Sequence, residues 1–374
     1  MNTEPATRSI PLVDLRAQQA EINDEVTQGL AEVFGNTSFI GGHQVADFER
    51  AYADFLGARH CLGASNGTDA LELALRAAGI EAGDEVILPA NTFIATAEAV
   101  CRIGAVPVLV DVDPEYLLID PAAVADAVTE RTRAIMPVHL YGQSAFIETL
   151  EPVAAAHDLA IIEDAAQAQG ARRHGRAAGT IGLAAGTSFY PGKNLGAAGD
   201  AGAVITNDPA LAERARILGA HGSAAKYEHD VVGFNARMDT VQAVVLNAKL
   251  TRLAGWNAQR RLAAERYAEL LHKLPGVVVP RSAPGNEDVW HLYVIRVPER
   301  DRVLKTLNEA GIGAGIHYPY PLHLTKAFAS LGRPAGSFPV SELAATRILS
   351  LPLYPHITAE IQEHVVNELA KALG

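Results

Sequence analysis

Short apolar runs alternate with helical patterns through the middle of the chain. Between residues 52 and 207, apolar runs of strand length are separated by segments with helical spacing of their apolar positions. This alternation predicts an α/β fold in which a parallel sheet is covered by helices on both faces. The predicted strands are 86–88, 106–110, 134–138, 159–162 and 203–206.

Aspartates placed before helical patterns mark where helices begin. Asp14 precedes an apolar stripe that runs to Gly35 and Asn36, and it is placed to cap that helix. Asp120 and Asp208 are each followed by a proline, which is favoured in the first turn of a helix. These signals predict helices that start directly after each of the three aspartates.

A long helical pattern begins at Asp239 and continues past Gly255. We expect this helix to join two lobes, because the chain beyond it mixes strand and helix patterns on a smaller scale. The sequence therefore predicts an N-terminal arm and large domain over 1–254 and a small C-terminal domain over 255–374.

Composition limits the classes of function. The 374 residues are 49% hydrophobic, and the net charge of −12 comes without a run of like charges, so no nucleic-acid footprint or membrane-binding patch is predicted. The apolar run 103–110 is far shorter than the roughly 20 residues that span a bilayer, and 1–10 has no apolar signal core. We therefore expect a cytoplasmic protein.

Cys61 and Cys101 lack metal-ligand spacing, so no metal site is predicted and both are expected to be buried thiols.

One lysine lies in a tight loop that suits covalent chemistry. An apolar segment ends in the Pro-Gly turn 190–192, Lys193 follows, and the Ser188 hydroxyl stands five residues earlier. Such an amine can form a Schiff base with a phosphorylated aldehyde while the hydroxyl helps to hold the phosphate. A surface lysine after a turn is the alternative. A P-loop is excluded, because Thr187 and Asn194 stand where that motif needs its first glycine and its serine or threonine.

A predicted buried strand ends in two carboxylates, Glu163 and Asp164, and Gln167 follows shortly after. Parallel sheets bind ligands at the carboxyl ends of their strands, and successive side chains point to opposite faces, so only one carboxylate faces a given ligand. Asp164 can pair with a protonated ring nitrogen, as pyridoxal phosphate requires, and Gln167 can reach the adjacent ring oxygen. The alternative is that Asp164 caps the next helix.

Two further segments offer contacts for a phosphate and for a ring. Gly67 and Thr68 open a helix after Asn66, so their free amides can bind a phosphate with the helix dipole behind them. Many helices begin in this way, and the pattern alone is weakly specific. Phe93 follows a predicted strand and can lie against a flat cofactor, with a position in the core as the alternative.

Two loops nearer the C-terminus carry polar and aromatic residues. Asn235 and Arg237 precede the long helix and can form an anion site, with a solvated helix entry as the alternative. His317 and Tyr318 lie in a loop that can line a cleft or simply pack between the two domains.

Taken together, these motifs resemble those of the DegT/DnrJ/StrS family of nucleotide-sugar aminotransferases. The resemblance extends over nearly the whole chain, through segments 10–15, 39–42, 66–71, 163–167, 188–196, 233–239 and 315–323. It implies a homodimeric pyridoxal 5′-phosphate enzyme with the aspartate aminotransferase fold (fold type I). In that fold a large domain with a mostly parallel seven-stranded sheet is followed by a smaller α+β domain.

The resemblance also implies a role for each matching residue. Lys193 would be the Schiff-base lysine, Asp164 would contact the pyridine nitrogen, and Gln167 would lie beside the ring oxygen. The further cofactor contacts would be Gly67, Thr68 and Ser188 at the phosphate, Phe93 on the ring, and Asn235 from the second subunit. Arg237, His317 and Tyr318 would face the substrate. The chain departs from the family's pattern at Gln169, where histidine is common, and at 325–326, where a glutamine is usual.

Within the family, the form of segment 315–323 is most like that of members that aminate C3 of a keto-sugar. We therefore expect amino transfer from L-glutamate to a dTDP-linked 3-keto-6-deoxyhexose. The alternatives are a 4-keto-sugar, a UDP-linked 3-keto-uronic acid or a keto-cyclitol as substrate, or a non-catalytic regulator with the same fold. Lys193 stands where the related dehydratases have histidine, which argues against a dehydratase.

Overall fold

Helices and strands alternate along the chain in the computed structural model, which describes residues 9–225 and 227–374. Of the stretch 1–10, in which no signal core is predicted, residues 1–8 lie outside the described residues. The helices are α1 (Leu15–Asn36), α2 (His43–Leu56), α3 (Gly67–Ala77), α4 (Ile94–Arg102), α5 (Pro121–Ala127), α6 (Ile147–His157), α7 (Pro209–Gly219), α8 (Thr240–Leu271), α9 (Arg300–Glu309), α10 (Pro339–Ala345) and α11 (Ala359–Leu373). The strands are β1 (His60–Ala64), β2 (Glu85–Pro89), β3 (Val106–Val110), β4 (Thr132–Ile135), β5 (Ala160–Asp164), β6 (Arg172–Arg173), β7 (Arg176–Ala177), β8 (Ala184–Ser188), β9 (Gly202–Thr206), β10 (Ser223–Ala225), β11 (Glu228–His229), β12 (Asn286–Glu287), β13 (Tyr293–Arg296) and β14 (Ile348–Leu351).

Seven strands form the main sheet, in the order β1-β9-β8-β5-β4-β2-β3. Neighbouring strands from β8 to β3 pair in parallel. Strand β9 pairs antiparallel with both β8 and β1, so it runs against the other six strands of this sheet. The predicted α/β fold with a mostly parallel seven-stranded sheet is thereby confirmed.

The predicted strands are all present, with boundaries shifted by at most three residues. The sequence pattern missed β1 and β8, and β8 consists only of alanine, glycine, threonine and serine. Its small residues allow α3 to pack closely, since a Cβ on Gly186 would lie 2.7 Å from Leu71 Cδ2. Because α3 packs so closely on it, β8 has no room for the bulky apolar residues by which a strand is recognised in a sequence.

The predicted helix starts are confirmed, and side-chain caps explain them. Asp14 accepts hydrogen bonds from the backbone N–H groups of Arg16 and Ala17, and α1 ends at Asn36 as predicted. Asp120 and Asp208 cap α5 and α7 in the same way, each before a first-turn proline. Within the described parts of the chain, no helix has both the length and the apolar character needed to cross a membrane.

Helix α8 connects two hydrophobic cores. It begins directly after Asp239 and continues through Gly255, as the sequence predicted. Its first half packs against α2, whereas its second half adds residues such as Tyr267 to a core shared with β13, β14 and α11. The predicted domain boundary between residues 254 and 255 falls inside α8. That boundary stays a prediction, because Leu322 and Phe328 from beyond it pack into the core of the main sheet.

The prediction that both cysteines are buried was wrong for one of them. Cys61 is buried in β1, but Cys101 is exposed. The buried face of α4 is formed by residues such as Thr96, Ala97 and Val100, and Cys101 lies outside that face near the end of the helix. The exposure of Cys101 depends on which face of α4 it occupies. The spacing of the two cysteines does not reveal that face.

Strand ends and helix starts meet at one edge of the main sheet. Asp164 ends β5 and Ser188 ends β8. Gly67, the first residue of α3, is so close to Ser188 that a Cβ at position 67 would lie 2.6 Å from the Ser188 Cβ. Thr96, in the first turn of α4, donates a hydrogen bond to Asp164. This is the edge at which open parallel sheets bind their ligands.

Candidate active site

A cavity of about 900 Å³ opens at this edge of the sheet. It is lined by nine of the eleven predicted site residues, namely Gly67, Thr68, Phe93, Asp164, Gln167, Ser188, Lys193, His317 and Tyr318. The other two, Asn235 and Arg237, line a separate cavity of about 310 Å³. Asp200 lines both cavities, so they are adjacent.

A tight turn presents Lys193 to the large cavity. The Lys193 backbone N–H donates to the Tyr190 carbonyl oxygen at 2.8 Å. The loop then closes on itself, because a Cβ on Gly196 would lie 2.3 Å from the Pro191 carbonyl oxygen. Burial lowers the pKa of the Lys193 amine from 10.5 to about 8, and the negative charge of Asp164 opposes that shift. About a tenth of the amine is therefore neutral and nucleophilic at a pH one unit below this pKa.

The two carboxylates that end β5 have separate environments, as strand alternation predicted. Glu163 is fully buried and is held by His139 Nε2 at 2.7 Å and by the backbone N–H groups of Gly179, Ile181 and Gly182. His139 Nδ1 accepts the N–H of Ala145, so the ring carries its proton on Nε2 and donates it to Glu163. Glu163 therefore supports the fold and does not face the cavity.

Asp164 points to the cavity instead. Its Oδ2 accepts a hydrogen bond from Thr96 Oγ1 at 2.7 Å, and its Oδ1 accepts the N–H of Ala166 at 3.1 Å. Burial raises the pKa of Asp164, while these two hydrogen bonds and the Lys193 charge act in the opposite direction. The helix-capping alternative does not hold, because Ala166 lies in a turn rather than in a helix.

The start of α3 and the end of β8 form an anion-binding corner. Asn66 caps α3 by accepting the N–H of Asp69 at 2.8 Å, which leaves the first helical amides, those of Gly67 and Thr68, without an acceptor inside the helix. Ser188 Oγ accepts the N–H of Tyr190 at 3.2 Å, so its own proton is free to be donated. These donors face the same cavity as Lys193.

Gln167 is held in one orientation by its neighbours. Its Oε1 accepts the N–H of Tyr141 at 2.7 Å, so Nε2 is the end that donates to Tyr318 Oη at 3.0 Å. The second N–H of that amide is available to a ligand. Phe93 is 49% exposed, with its ring 5.2 Å from that of Tyr318, so the core alternative for Phe93 does not hold.

Two neutral histidines lie in the cavity wall. Burial, assisted by the Lys193 charge, lowers the pKa of His317 to about 4, and His317 Nδ1 contacts Ser350 Oγ at 2.8 Å. Burial likewise lowers the pKa of His291 well below its usual value. The side-chain amide nitrogen of Asn194 donates to Asn257 and to the Val289 carbonyl, so its Oδ1 accepts the Nδ1 proton of His291. Both rings can therefore exchange hydrogen bonds with a ligand without carrying a charge.

Sequence reasoning missed several residues of this site. His291 and Asp200, which line the cavity, and Thr96, which donates to Asp164, were not predicted, because no pattern within a few residues marks them. Gln169, where the chain departs from the family's pattern, is buried, and its Nε2 donates to the Ser188 carbonyl at 2.7 Å. This hydrogen bond stabilises the backbone just before the loop that carries Lys193.

The arrangement combines a nucleophilic amine, a buried carboxylate and an anion-binding corner around one cavity. The model of the DegT/DnrJ/EryC1/StrS aminotransferase family matches residues 20–370. The chain is 47% identical over 360 residues to the erythromycin biosynthesis sensory transduction protein EryC1 of Saccharopolyspora erythraea, which covers 96% of this chain and 98% of that protein.

Further likeness is to a named enzyme and to a crystal structure. The chain is 44% identical to a dTDP-3-amino-3,4,6-trideoxy-alpha-D-glucose transaminase of Streptomyces venezuelae, over 96% of this chain and 94% of the enzyme. The crystal structure of S. venezuelae DesV in complex with a ketimine intermediate superposes with a TM-score of 0.95 and 43% identity, over 97% of this chain and 98% of that one.

Proposed function

The chain belongs to the DegT/DnrJ/EryC1/StrS aminotransferase family, and we propose that it transfers the amino group of L-glutamate to a nucleotide-linked keto-sugar with pyridoxal 5′-phosphate as cofactor. The proposed acceptor is a dTDP-linked 3-keto-6-deoxyhexose, which would become the 3-amino sugar. The relative named as a dTDP-3-amino-sugar transaminase supports this choice. The observation that carries the proposal is the position of Lys193, Asp164 and the start of α3 around one cavity.

The chemistry of the donor set fits pyridoxal phosphate. Gly67, Thr68 and Ser188 would hold the phosphate, and any side chain larger than hydrogen at position 67 would collide with Ser188. Asp164 would pair with the ring nitrogen and Gln167 would donate to the ring oxygen. The exposed face of Phe93 is available to stack on the ring.

The bound cofactor supplies an electron sink for the carbon that loses or gains a proton. The chain's own residues supply the rest. Lys193 Nζ would condense with the aldehyde with loss of water and, when released as a free amine, would move the proton, which its pKa of about 8 allows near neutral pH. The negative carboxylate of Asp164 would stabilise positive charge on the ring nitrogen. Its orientation is already fixed, because each of its oxygens accepts a hydrogen bond.

We propose that two copies of the chain share each active site. Asn235 and Arg237 are exposed and line a cavity apart from the residues they are expected to assist. Exposed apolar residues accompany them, since Ile40 lines the same cavity and Val231 and Val232 are 49% and 98% exposed. Such a surface is typical of an interface between subunits. The partner subunit's Asn235 would complete the phosphate site, and the partner subunit's Arg237 would face the substrate.

The large cavity leaves room for a sugar next to the cofactor. At about 900 Å³ it is near the upper end of ordinary ligand sites. His317 and Tyr318 lie in its wall and would contact the substrate. His317 is neutral above a pH of about 4, so it would offer a hydrogen bond and no charge to the sugar.

The experiment that tests the proposal is glutamate-dependent turnover with a panel of acceptors. We expect 2-oxoglutarate and an amino sugar with the dTDP-3-keto-6-deoxyhexose. A dTDP-4-keto-sugar, a UDP-3-keto-uronic acid and a keto-cyclitol would test the alternative acceptors, and faster turnover of one of them would replace the proposed substrate.

A non-catalytic regulator is the second candidate, and one observation favours it. The EryC1 relative is named as a sensory transduction protein. Against it stands the complete set of chemical groups around Lys193, which regulation alone does not require. Turnover of glutamate with any acceptor in the panel would exclude this alternative, and its complete absence would support it.

A further inference from the structure

A pair of buried threonine hydroxyls stands behind Asp164. Thr96 is completely buried and donates from Oγ1 to Asp164 Oδ2 at 2.7 Å. Thr92 is 1% exposed, and its Oγ1 lies 2.8 Å from Thr96 Oγ1. The three groups therefore form a continuous chain of hydrogen bonds that ends at the cavity.

The direction of this chain follows from counting protons. An ionised carboxylate only accepts hydrogen bonds, so the single hydroxyl proton of Thr96 is committed to Asp164. The hydroxyl of Thr92 must then be the donor to the Thr96 oxygen. Each bond polarises the next, which strengthens the donation to Asp164.

We propose that Thr96, supported by Thr92, is a positioning residue that keeps the Asp164 carboxylate ionised and aimed at the ring nitrogen of the cofactor. This inference rests on the proposed function. Within the described residues, the only other hydrogen bond to this carboxylate comes from the N–H of Ala166. Among the described residues, the titratable groups that interact electrostatically with Asp164 are Lys193, His139 and Tyr318. None of these three donates a hydrogen bond to its carboxylate.

Fixing the carboxylate in this way has a chemical purpose. Burial alone favours the neutral acid, which cannot balance a positive ring nitrogen. The Thr96 and Ala166 donors occupy one position on each oxygen and leave the remaining lone pairs for the cofactor. Removing the Thr96 hydroxyl should therefore weaken the contact with the ring nitrogen specifically.

Two ligands separate this role from a general effect on folding. The probes are pyridoxal phosphate and its 1-deaza analogue, which has carbon in place of the ring nitrogen. Both carry the same aldehyde and phosphate, so the contributions of Lys193 and of the phosphate corner cancel in the comparison. The dissociation constants of both ligands are measured for the wild type, Thr96→Val, Thr96→Ser and Thr206→Val. Thr206 is the matched control, a buried threonine that donates to the Leu183 carbonyl at the opposite end of β9 from the site.

Thr96→Val should weaken pyridoxal phosphate binding by about tenfold, the usual effect of losing a hydrogen bond to a charged group, and the analogue by less than about twofold. Thr96→Ser keeps the hydroxyl and should bind both ligands as the wild type does, as should Thr206→Val. If Thr96→Val does not fold, Thr92→Val carries the test, with a smaller loss in the same direction.

Equal losses for both ligands, or no loss for either, would overturn the inference. If the wild type still transaminates, the proposed function survives that result. A wild type that binds neither ligand would overturn both.

Discussion

Glu163 and Asp164 are adjacent in β5, yet their carboxylates are held by different parts of the protein. Glu163 accepts hydrogen bonds from His139 and from backbone amides behind the sheet, whereas Asp164 faces the cavity and is fixed by Thr96 and Ala166. One residue therefore stabilises the fold, and its neighbour is free to take the proposed part in the chemistry. The two functions should separate on mutation.

Glu163→Gln should destabilise the protein by about 2–4 kcal/mol, because a buried acceptor of several hydrogen bonds is replaced by a group with a misplaced donor. Burial alone would raise the pKa of Glu163, but the hydrogen bonds from His139, Gly179 and Gly182 lower it in the folded state. Its contribution is therefore present above the unfolded pKa and is lost as the pH falls through the folded one. Urea unfolding of the cofactor-free protein at neutral and acidic pH measures both effects. Unchanged stability of the variant at neutral pH would contradict this role.

Asp164→Asn should have the opposite profile. Burial raises the pKa of Asp164, so its charge costs stability at neutral pH, and a neutral isostere should be as stable as the wild type or more stable. Transamination should fall by a factor of at least about 10³, because the positive ring nitrogen loses its partner. Unfolding curves and glutamate turnover are the two measurements. A destabilised variant that remained active would reverse the assignment of the two carboxylates.

The rate at which the cofactor-free protein captures pyridoxal phosphate should depend on pH through Lys193. The neutral amine is the proposed nucleophile, and its pKa is lowered to about 8, so the rate should rise with pH through a midpoint near 8 and level off about one unit higher. Asp164 raises the pKa of Lys193, and Asp164→Asn should therefore move the midpoint to lower pH. Stopped-flow absorbance across pH 6 to 10 measures the midpoint. A rate that still rises steeply at pH 10, as the ordinary lysine value of 10.5 would give, would contradict the burial of this amine.

Gly67→Ala should weaken cofactor binding without unfolding the protein. The added Cβ would lie 2.6 Å from Ser188 Cβ, so α3 and β8 must separate at the corner that would hold the phosphate. We expect a loss of about tenfold or more in affinity, as for disturbed charge-assisted hydrogen bonds. Gly35→Ala is the matched control, because a Cβ there meets nothing within 4 Å. Equal affinity of the two variants would argue against a phosphate at this corner.

Mixing two inactive variants tests whether the active site is shared between subunits. In a mixed dimer of Lys193→Ala and Asn235→Ala, a shared arrangement leaves one site with both native residues and the other with neither. A one-to-one mixture that exchanges subunits should regain about a quarter of wild-type activity. If both residues act within one chain, every site carries one defect and the mixture stays as inactive as its components.

The sequence predicted those residues of the candidate site whose signals are local. Lys193 follows a turn, Asp164 ends an apolar strand, and Gly67 starts a capped helix, and each of these patterns can be read within a few residues. Thr96 could not be found in this way, because its hydrogen bond joins segments 68 positions apart. The same limit applies to β8, whose small residues are explained only by the helix that packs on them.

The identity of the lysine that binds the cofactor is the most direct test of the account. Burial lowers the pKa of both Lys193 and Lys249 to about 8, so acidity alone does not distinguish them. Lys249 Nζ donates to the Gly196 carbonyl at 2.7 Å and lines a different cavity, whereas Lys193 shares its cavity with Asp164. Borohydride reduction of the protein with pyridoxal phosphate, followed by peptide mass mapping, fixes and locates the pyridoxyl group. We predict that the label is on Lys193, and a label on Lys249 or on neither lysine would contradict the account.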